Sequence, residues 1–137
     1  MAAAIIDVYR ALDQWAPFDT QMDFDNAGFL VGRGEREVRR VLVSLDITEA
    51  VAAEAGRWGA ELIVSHHPVI FHPVKALTDQ TSTGRTLLLL AEQGIGAVCA
   101  HTNLDAAEGG VNEVLAGFFG MREMEAFAEG CGRVGSI

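Results

Sequence analysis

Apolar positions along this chain follow two rhythms, and each predicts an element. Between Ala3 and Trp15, residues Ile5, Val8, Tyr9, Leu12 and Trp15 recur at helical spacing and Pro17 closes the segment, which predicts a docking helix. Phe18 to Gly28 has no rhythm. It carries Asp19, Asp23, Asp25 and Asn26 around Phe24 and reads as a loop with one aromatic anchor. Its acidic groups are expected to cap turns and accept backbone amides rather than touch a cation. Phe29 to Gly32 reads as a short strand and Arg33-Gly34-Glu35 as a turn. Val38 to Leu45 is apolar almost throughout, which predicts a central strand covered on both faces.

Thr48 supplies an N-cap, with Glu49 in the first turn of a helix that places Val51, Ala55 and Trp58 on one side until Gly59 stops it. Leu62 to Ser65 is the next strand, so the two strands and the helix form a β-α-β unit with parallel strands. Val69 to Ser82 is long and irregular, the kind of loop that in a compact domain is usually functional or mobile. Thr83 to Gln93 reads as a helix ended by Gly94, and Ile95 to Ala100 as a third strand running into His101. Gly110 to Phe119 follows as a helix entered through Gly109, and Met121 to Phe127 as an edge strand. With no internal repeat or low-complexity linker, residues 1–137 read as a single α/β domain.

Chemistry enters at the strand ends. Three successive strands stop on a potential ligand or acid-base group: Asp46, then His66 with His67, then His101 followed by Asp105. In parallel sheets the carboxyl ends of the strands share one edge, where binding crevices form, so these residues are expected to converge. Pro68 disfavours the α region for His67, and neighbours on extended backbone point to opposite sides. The adjacent imidazoles would then serve two ions, or one ion and its surroundings, more easily than chelate one. The same alternation turns Ser65 away from His66 and argues against it as a nucleophile. Blander roles stand beside each reading: a hydrogen-bonded histidine pair at a strand end, a backbone-bonded His101, and an Asp46 that accepts amides at the helix entry. Imidazole with carboxylate suits Zn, Mn, Fe or Co, whereas Mg or Ca would prefer oxygen alone.

Composition narrows the partners. A length of 137 residues with 50% hydrophobic and 21% charged residues describes an ordinary globular domain. The net charge of -9 disfavours nucleic acid, because phosphate contacts need clustered Lys and Arg. Arg36, Arg39 and Arg40 alternate with Glu35 and Glu37 and read as a solvated turn. Cys99 and Cys131 make neither a disulfide framework nor a zinc knuckle, which sets a reducing, cytoplasmic location as the default. No apolar run approaches the ~20 residues needed to cross a bilayer, so no membrane association is expected.

The ordered set Asp25-Asn26-Ala27-Gly28, Leu30-Val31-Gly32, Val43-Ser44-Leu45-Asp46-Ile47-Thr48-Glu49-Ala50, Gly59-Ala60-Glu61-Leu62-Ile63-Val64, His66-His67-Pro68, His101-Thr102-Asn103-Leu104-Asp105 and Gly109-Gly110-Val111-Asn112 resembles the Nif-three-like family, known as GTP cyclohydrolase I type 2 homologues. Phe24 stands where that family usually has Trp before Asp-Asn. The expected fold is α/β, a layered α/β/α arrangement with a mostly parallel or mixed central sheet. The resemblance implies a dinuclear divalent-metal centre, with His66, His67 and Asp105 as metal ligands. His101 and Asp46 match motif positions read here as acid-base groups, and His72 matches a position that is not a ligand.

The family's remaining ligands, a His-x-x-x-Glu pair, have no counterpart here, so the chain is expected to be a truncated, N-terminal half of the family domain. The function implied is a metal-dependent hydrolase acting on a small nucleotide-like or phosphorylated substrate. His101 or Asp46 would shuttle protons, and the Val69 to Ser82 loop would cover the site. The alternatives are a non-enzymatic metal- or partner-binding protein and an inactive fragment. The resemblance also implies a homo-oligomer, a hexamer in the family.

Overall fold

A computed structural model describes residues 2–137. In chain order its elements are β1 (Ala3–Ala4), α1 (Ile5–Trp15), a 3-10 turn (Phe18–Thr20), β2 (Gly28–Val31), β3 (Glu37–Val38), β4 (Val41–Ser44), α2 (Glu49–Trp58), β5 (Leu62–Ser65), α3 (Ser82–Gln93), β6 (Gly96–Cys99), α4 (Thr102–Ala106), α5 (Val111–Phe118), β7 (Arg122–Phe127) and β8 (Gly132–Ser136).

The β-α-β reading holds. β4, β5 and β6 run parallel, and β2 joins β6 antiparallel, giving a mixed sheet in the order β2-β6-β5-β4. The helices begin and end where their caps dictate. Thr48 and Thr81 accept amides from Val51 and Gly84, and Gly59 and Gly94 adopt left-handed φ values of 67° and 66° that a side chain would resist.

Strand alternation divides the core into two. Leu62, Val98 and Ala100 pack with Ile5, Phe18 and Val38 below α1, whereas Ile63, Ala97 and Cys99 pack with Ala52, Ala55 and Leu90 below α2 and α3. Tyr9 stacks on Phe18 at 4.7 Å between ring centroids and closes the first of these layers. The architecture is therefore α/β/α, with helices on both faces of a sheet whose two middle strands are buried.

Three expectations change. Val38 to Leu45 is not one central strand: it breaks at Arg39 and Arg40, whose amides donate to the Glu61 carboxylate at 3.1 and 2.9 Å instead of to a neighbouring strand. β4 then forms the sheet edge, with Val43 77% exposed. An apolar run reports a strand's composition but not its place in the sheet. α2 buries Ala52 and Ala55, while Trp58 stays exposed, so small side chains carry the contact with α3. Phe24 is exposed too and anchors nothing. Sequence reading also passed over α4, five residues set against the start of the chain by the buried Asn103, which donates to the Ala16 carbonyl at 2.7 Å. β7 pairs with β8 as a hairpin. Among the described residues no helix is long and apolar enough to cross a membrane.

Burial separates the strands energetically. Leu62→Ala, in the fully buried β5, should lower unfolding stability by about 2–5 kcal/mol, and Val43→Ala on the edge by less than about 0.5 kcal/mol, measured by urea denaturation at neutral pH. Equal losses would return β4 to the interior.

Candidate metal centre

The register of the parallel strands decides what meets at their ends. Ser44, Ser65 and Cys99 lie opposite one another in β4, β5 and β6, so the residues that follow leave the sheet at one level. The ladder continues one step further on both sides of β5. His66 and His67 donate their amides to the carbonyls of Ser44 and Leu45, and Ala100 donates to the carbonyl of Ser65. The backbone under the histidines is thereby fixed before any side-chain contact is counted.

The rings of His66, His67 and His101 converge. Their centroids are 5.1 Å apart for the adjacent pair, and His101 lies 5.0 and 5.5 Å from His66 and His67. One nitrogen from each ring falls within 4.8 Å of the others. Opposed side chains at the doublet were expected. The strand stops at Ser65 and the chain bends through His66 and His67, so strand alternation no longer applies there.

A carboxylate backs every ring. His66 Nε2 meets Asp105 Oδ1 at 2.9 Å, His67 Nδ1 meets Asp46 Oδ1 at 2.7 Å, and His101 Nδ1 meets Asp25 Oδ1 at 2.9 Å. Each imidazole has one nitrogen committed to a carboxylate and the other left for a further partner. The three couples differ in their access to water. His67 and Asp46 are about half exposed, His66 and Asp105 mostly covered, and the Asp25 side chain is 0% exposed.

Asp25 accepts backbone amides as expected, but sequence reading missed that it also holds the His101 ring. Burial pushes its carboxyl up, but the Thr102 hydroxyl, the His101 ring and the amides of Thr102 and Asn26 all donate to it. Together they hold it below the usual carboxylate range. An ionised carboxylate only accepts, so the bonded His101 nitrogen carries a proton, and in the neutral ring Nε2 is the nitrogen with the lone pair. The sequence signal was Asp25-Asn26-Ala27-Gly28, but an Asp in a loop looks like any turn former. The same motif ties two loops together, since Asn26 Nδ2 donates to the Ile70 carbonyl just past the histidine doublet.

Other candidates settle elsewhere. Asp46 serves the His67 ring and not the amides of α2, which Thr48 caps. Glu49 pairs with Arg85 at 3.0 Å and joins α2 to the start of α3. The Gly109 amide, a conceivable anion donor, gives its hydrogen to Glu113 at 2.8 Å. His72 stacks edge-on against Phe71, outside the cluster. Ser65 is buried, its hydroxyl within 2.9 Å of the His67 carbonyl and 3.0 Å of Cys99 Sγ, which closes it as a nucleophile. Burial pushes the Cys99 thiol up, and both cysteines are free.

The residues fit a metal ion. His66 Nδ1 is buried with no hydrogen-bond partner in the protein, a costly state that a coordinated cation or a water relieves. Tetrahedral ligands at about 2.1 Å from one ion stand about 3.4 Å apart, so the three nitrogens, within 4.8 Å of one another, are near enough to share an ion if the rings draw together on binding. Nitrogen donors with a carboxylate nearby suit a borderline ion of the Zn, Mn, Fe or Co type. The histidine cluster could therefore hold a metal ion.

Comparison with known proteins identifies the family and the fold. The model for the family Duf34/NIF3 (NGG1p interacting factor 3) matches residues 3–137. A GTP cyclohydrolase 1 type 2 homolog of Lactococcus lactis is 38% identical over 135 residues, which is 97% of this chain and 52% of that protein. One of Halalkalibacterium halodurans is 37% identical over 121 residues, covering 88% of this chain and 32% of the relative. The crystal structure of Staphylococcus aureus protein SA1388 superposes with a TM-score of 0.87 at 36% identity, over 92% of this chain and 36% of that one. The chain thus spans about a third to a half of the length of the relatives it matches.

The state of Asp25 makes a pH prediction. Its carboxyl is lowered on folding, so it stabilises the fold above the unfolded value of about 3.9, and that contribution disappears as pH falls through the folded value. Asp25→Asn should therefore be destabilised most near neutrality, with the gap to the parent closing below about pH 4 in urea titrations. A constant gap from pH 7 to pH 3 would contradict the assignment.

Proposed function

This chain belongs to the Duf34/NIF3 family, and on that footing we propose that it carries the metal-binding part of a divalent-metal-dependent hydrolase acting on a small nucleotide-like or phosphorylated substrate. One observation carries the reading: three imidazoles from the ends of β5 and β6 meet at one rim, each held by its own carboxylate. Metal-ligating histidines use such support, because a carboxylate on one ring nitrogen fixes the tautomer and raises the basicity of the other.

In this reading His66, His67 and Asp105 hold the ion, or two ions with help from water or further protein ligands. A bound divalent ion would supply Lewis acidity and make an attacking water more acidic. His101 contributes a fixed acceptor: Asp25 keeps its Nδ1 protonated, so Nε2 is free to take a proton from water. Asp46 is about half exposed and bonded to His67, so its carboxylate is placed to exchange a proton with solvent while it holds that ring. The irregular stretch after Pro68 borders the site through Phe71, whose ring stands edge-on to that of His101. The curated relatives bear the name GTP cyclohydrolase 1 type 2 homolog, and no side chain in this cluster selects a guanine ring. The proposal stops at the substrate class for that reason.

Cobalt(II) titration followed by visible absorption, together with hydrolysis assays on nucleotides and phosphate esters, separates the roles. His66→Ala and His67→Ala should weaken cobalt uptake at least tenfold and abolish turnover. Asp46→Asn should weaken uptake by about 10- to 100-fold through its ring partner. His101→Gln should hold cobalt within about threefold of the parent yet lose about 10²- to 10⁴-fold in kcat. Turnover that survives a chelator would overturn the hydrolase reading. Metal held without turnover on any nucleotide or phosphate ester would favour a non-enzymatic binding role.

A further inference from the structure

The chain's only lysine lies beside this site. Lys75 sits in the irregular stretch between β5 and α3 and lines a cleft of about 520 Å3 that opens directly past the histidine doublet, with Pro68 as its near wall. Phe71 joins the cleft to the centre: its ring lines the cleft and stands edge-on to the His101 ring at 6.4 Å between centroids.

The lining has a consistent chemistry. The whole chain carries 19 acidic residues and a net charge of -9, so most of its surface repels anions. No carboxylate lines this cleft. Among the described residues Lys75 has neither an ion-pair partner nor a side-chain hydrogen bond, so all three of its donors are available. Two hydroxyls reinforce it. Thr81 Oγ1 already accepts from the Gly84 amide at 3.0 Å and Thr78 Oγ1 from the Gln80 amide at 3.4 Å. Each uses one lone pair in this way, and its O–H hydrogen remains to donate. Among a largely apolar lining, an ammonium and hydroxyl donors with no negative charge suit an anion. Charge-assisted bonds from such donors to phosphate oxygens are among the stronger polar contacts available.

We propose that this cleft receives the phosphate group of the substrate, with Lys75 and the hydroxyls of Thr78 and Thr81 as donors, while the bond to be cleaved lies at the histidine cluster and a flat ring between the two rests against Phe71. The assignment rests on the hydrolase reading and sharpens it: the substrate is a phosphorylated compound with a planar ring, and the phosphate is its handle and not the group attacked.

The test uses inorganic phosphate as the probe, added at constant ionic strength to the metal-free 137-residue chain and followed by amide NMR. The expected result is saturable shifts centred on Lys75, Thr78 and Thr81 with a dissociation constant of about 1–10 mM. Lys75→Gln should weaken it about tenfold, and His67→Ala should leave it unchanged. Lys75 is exposed, so its replacement leaves folding intact. Cobalt uptake by Lys75→Gln should equal that of the parent. Shifts that do not saturate, that persist equally in Lys75→Gln, or that vanish in His67→Ala would overturn the cleft assignment. Normal cobalt uptake in the same samples would leave the metal reading standing.

Discussion

The parallel register of β4, β5 and β6 is the constraint on which the site depends. Because Ser44, Ser65 and Cys99 lie level, the chain leaves three adjacent strands at one height, and the groups that follow share a rim only about two strand spacings wide. A slip of one residue in β5 would exchange Leu62 and Ile63 between the two core layers, each of which is fully buried. Hydrophobic burial therefore sets the register, and the register places the histidines. No polar contact at the rim has to hold the strands in place, which leaves the polar groups free to serve chemistry.

What those polar groups do follows from their access to water. A carboxylate as deeply buried as Asp25 would be costly alone, yet it accepts from two amides, a hydroxyl and an imidazole, and these donors outweigh its desolvation. Asn103 holds α4, and with it Thr102, against the end of α1 and the 3-10 turn. His67 with Asp46 has the opposite character, open to solvent and unconstrained by the core. One rim thus carries a buried couple and a solvent-exposed one. Past the doublet the acidic surface gives way to a cleft with an unpaired lysine, so the sign of the charge changes along the groove that leads away from the rings.

Much of this was legible in the sequence where a local rule operates alone. Thr48, Gly59 and Gly94 mark helix ends because capping needs only a few neighbouring atoms. β5 and β6 were legible because short apolar runs bounded by glycine have few alternatives. The gathering of His66, His67, His101, Asp46 and Asp105 followed from topology: parallel strands linked through helices must end on the same side. The misreadings fall where long-range contacts decide. Nothing local in Val38 to Leu45 tells an edge from a centre, and nothing in Trp58 says that two alanines will take the buried side of α2. Asp25 gave the same local signal as its neighbours Asp19 and Asp23. Only its partners, more than seventy positions away, distinguish it. The convergence of the doublet was hidden for a related reason, since alternation holds within a strand and His66 is already one residue outside it.

X-ray absorption on the chain loaded with cobalt or zinc tests the central claim most directly, because it reports the atoms around the ion without reference to a substrate. The account predicts a shell of nitrogen and oxygen at about 2.0–2.1 Å with the outer-shell scattering of at least two imidazoles. A sulfur shell near 2.3 Å, which would mean Cys99 or Cys131, or an oxygen-only shell without imidazole scattering, would contradict it.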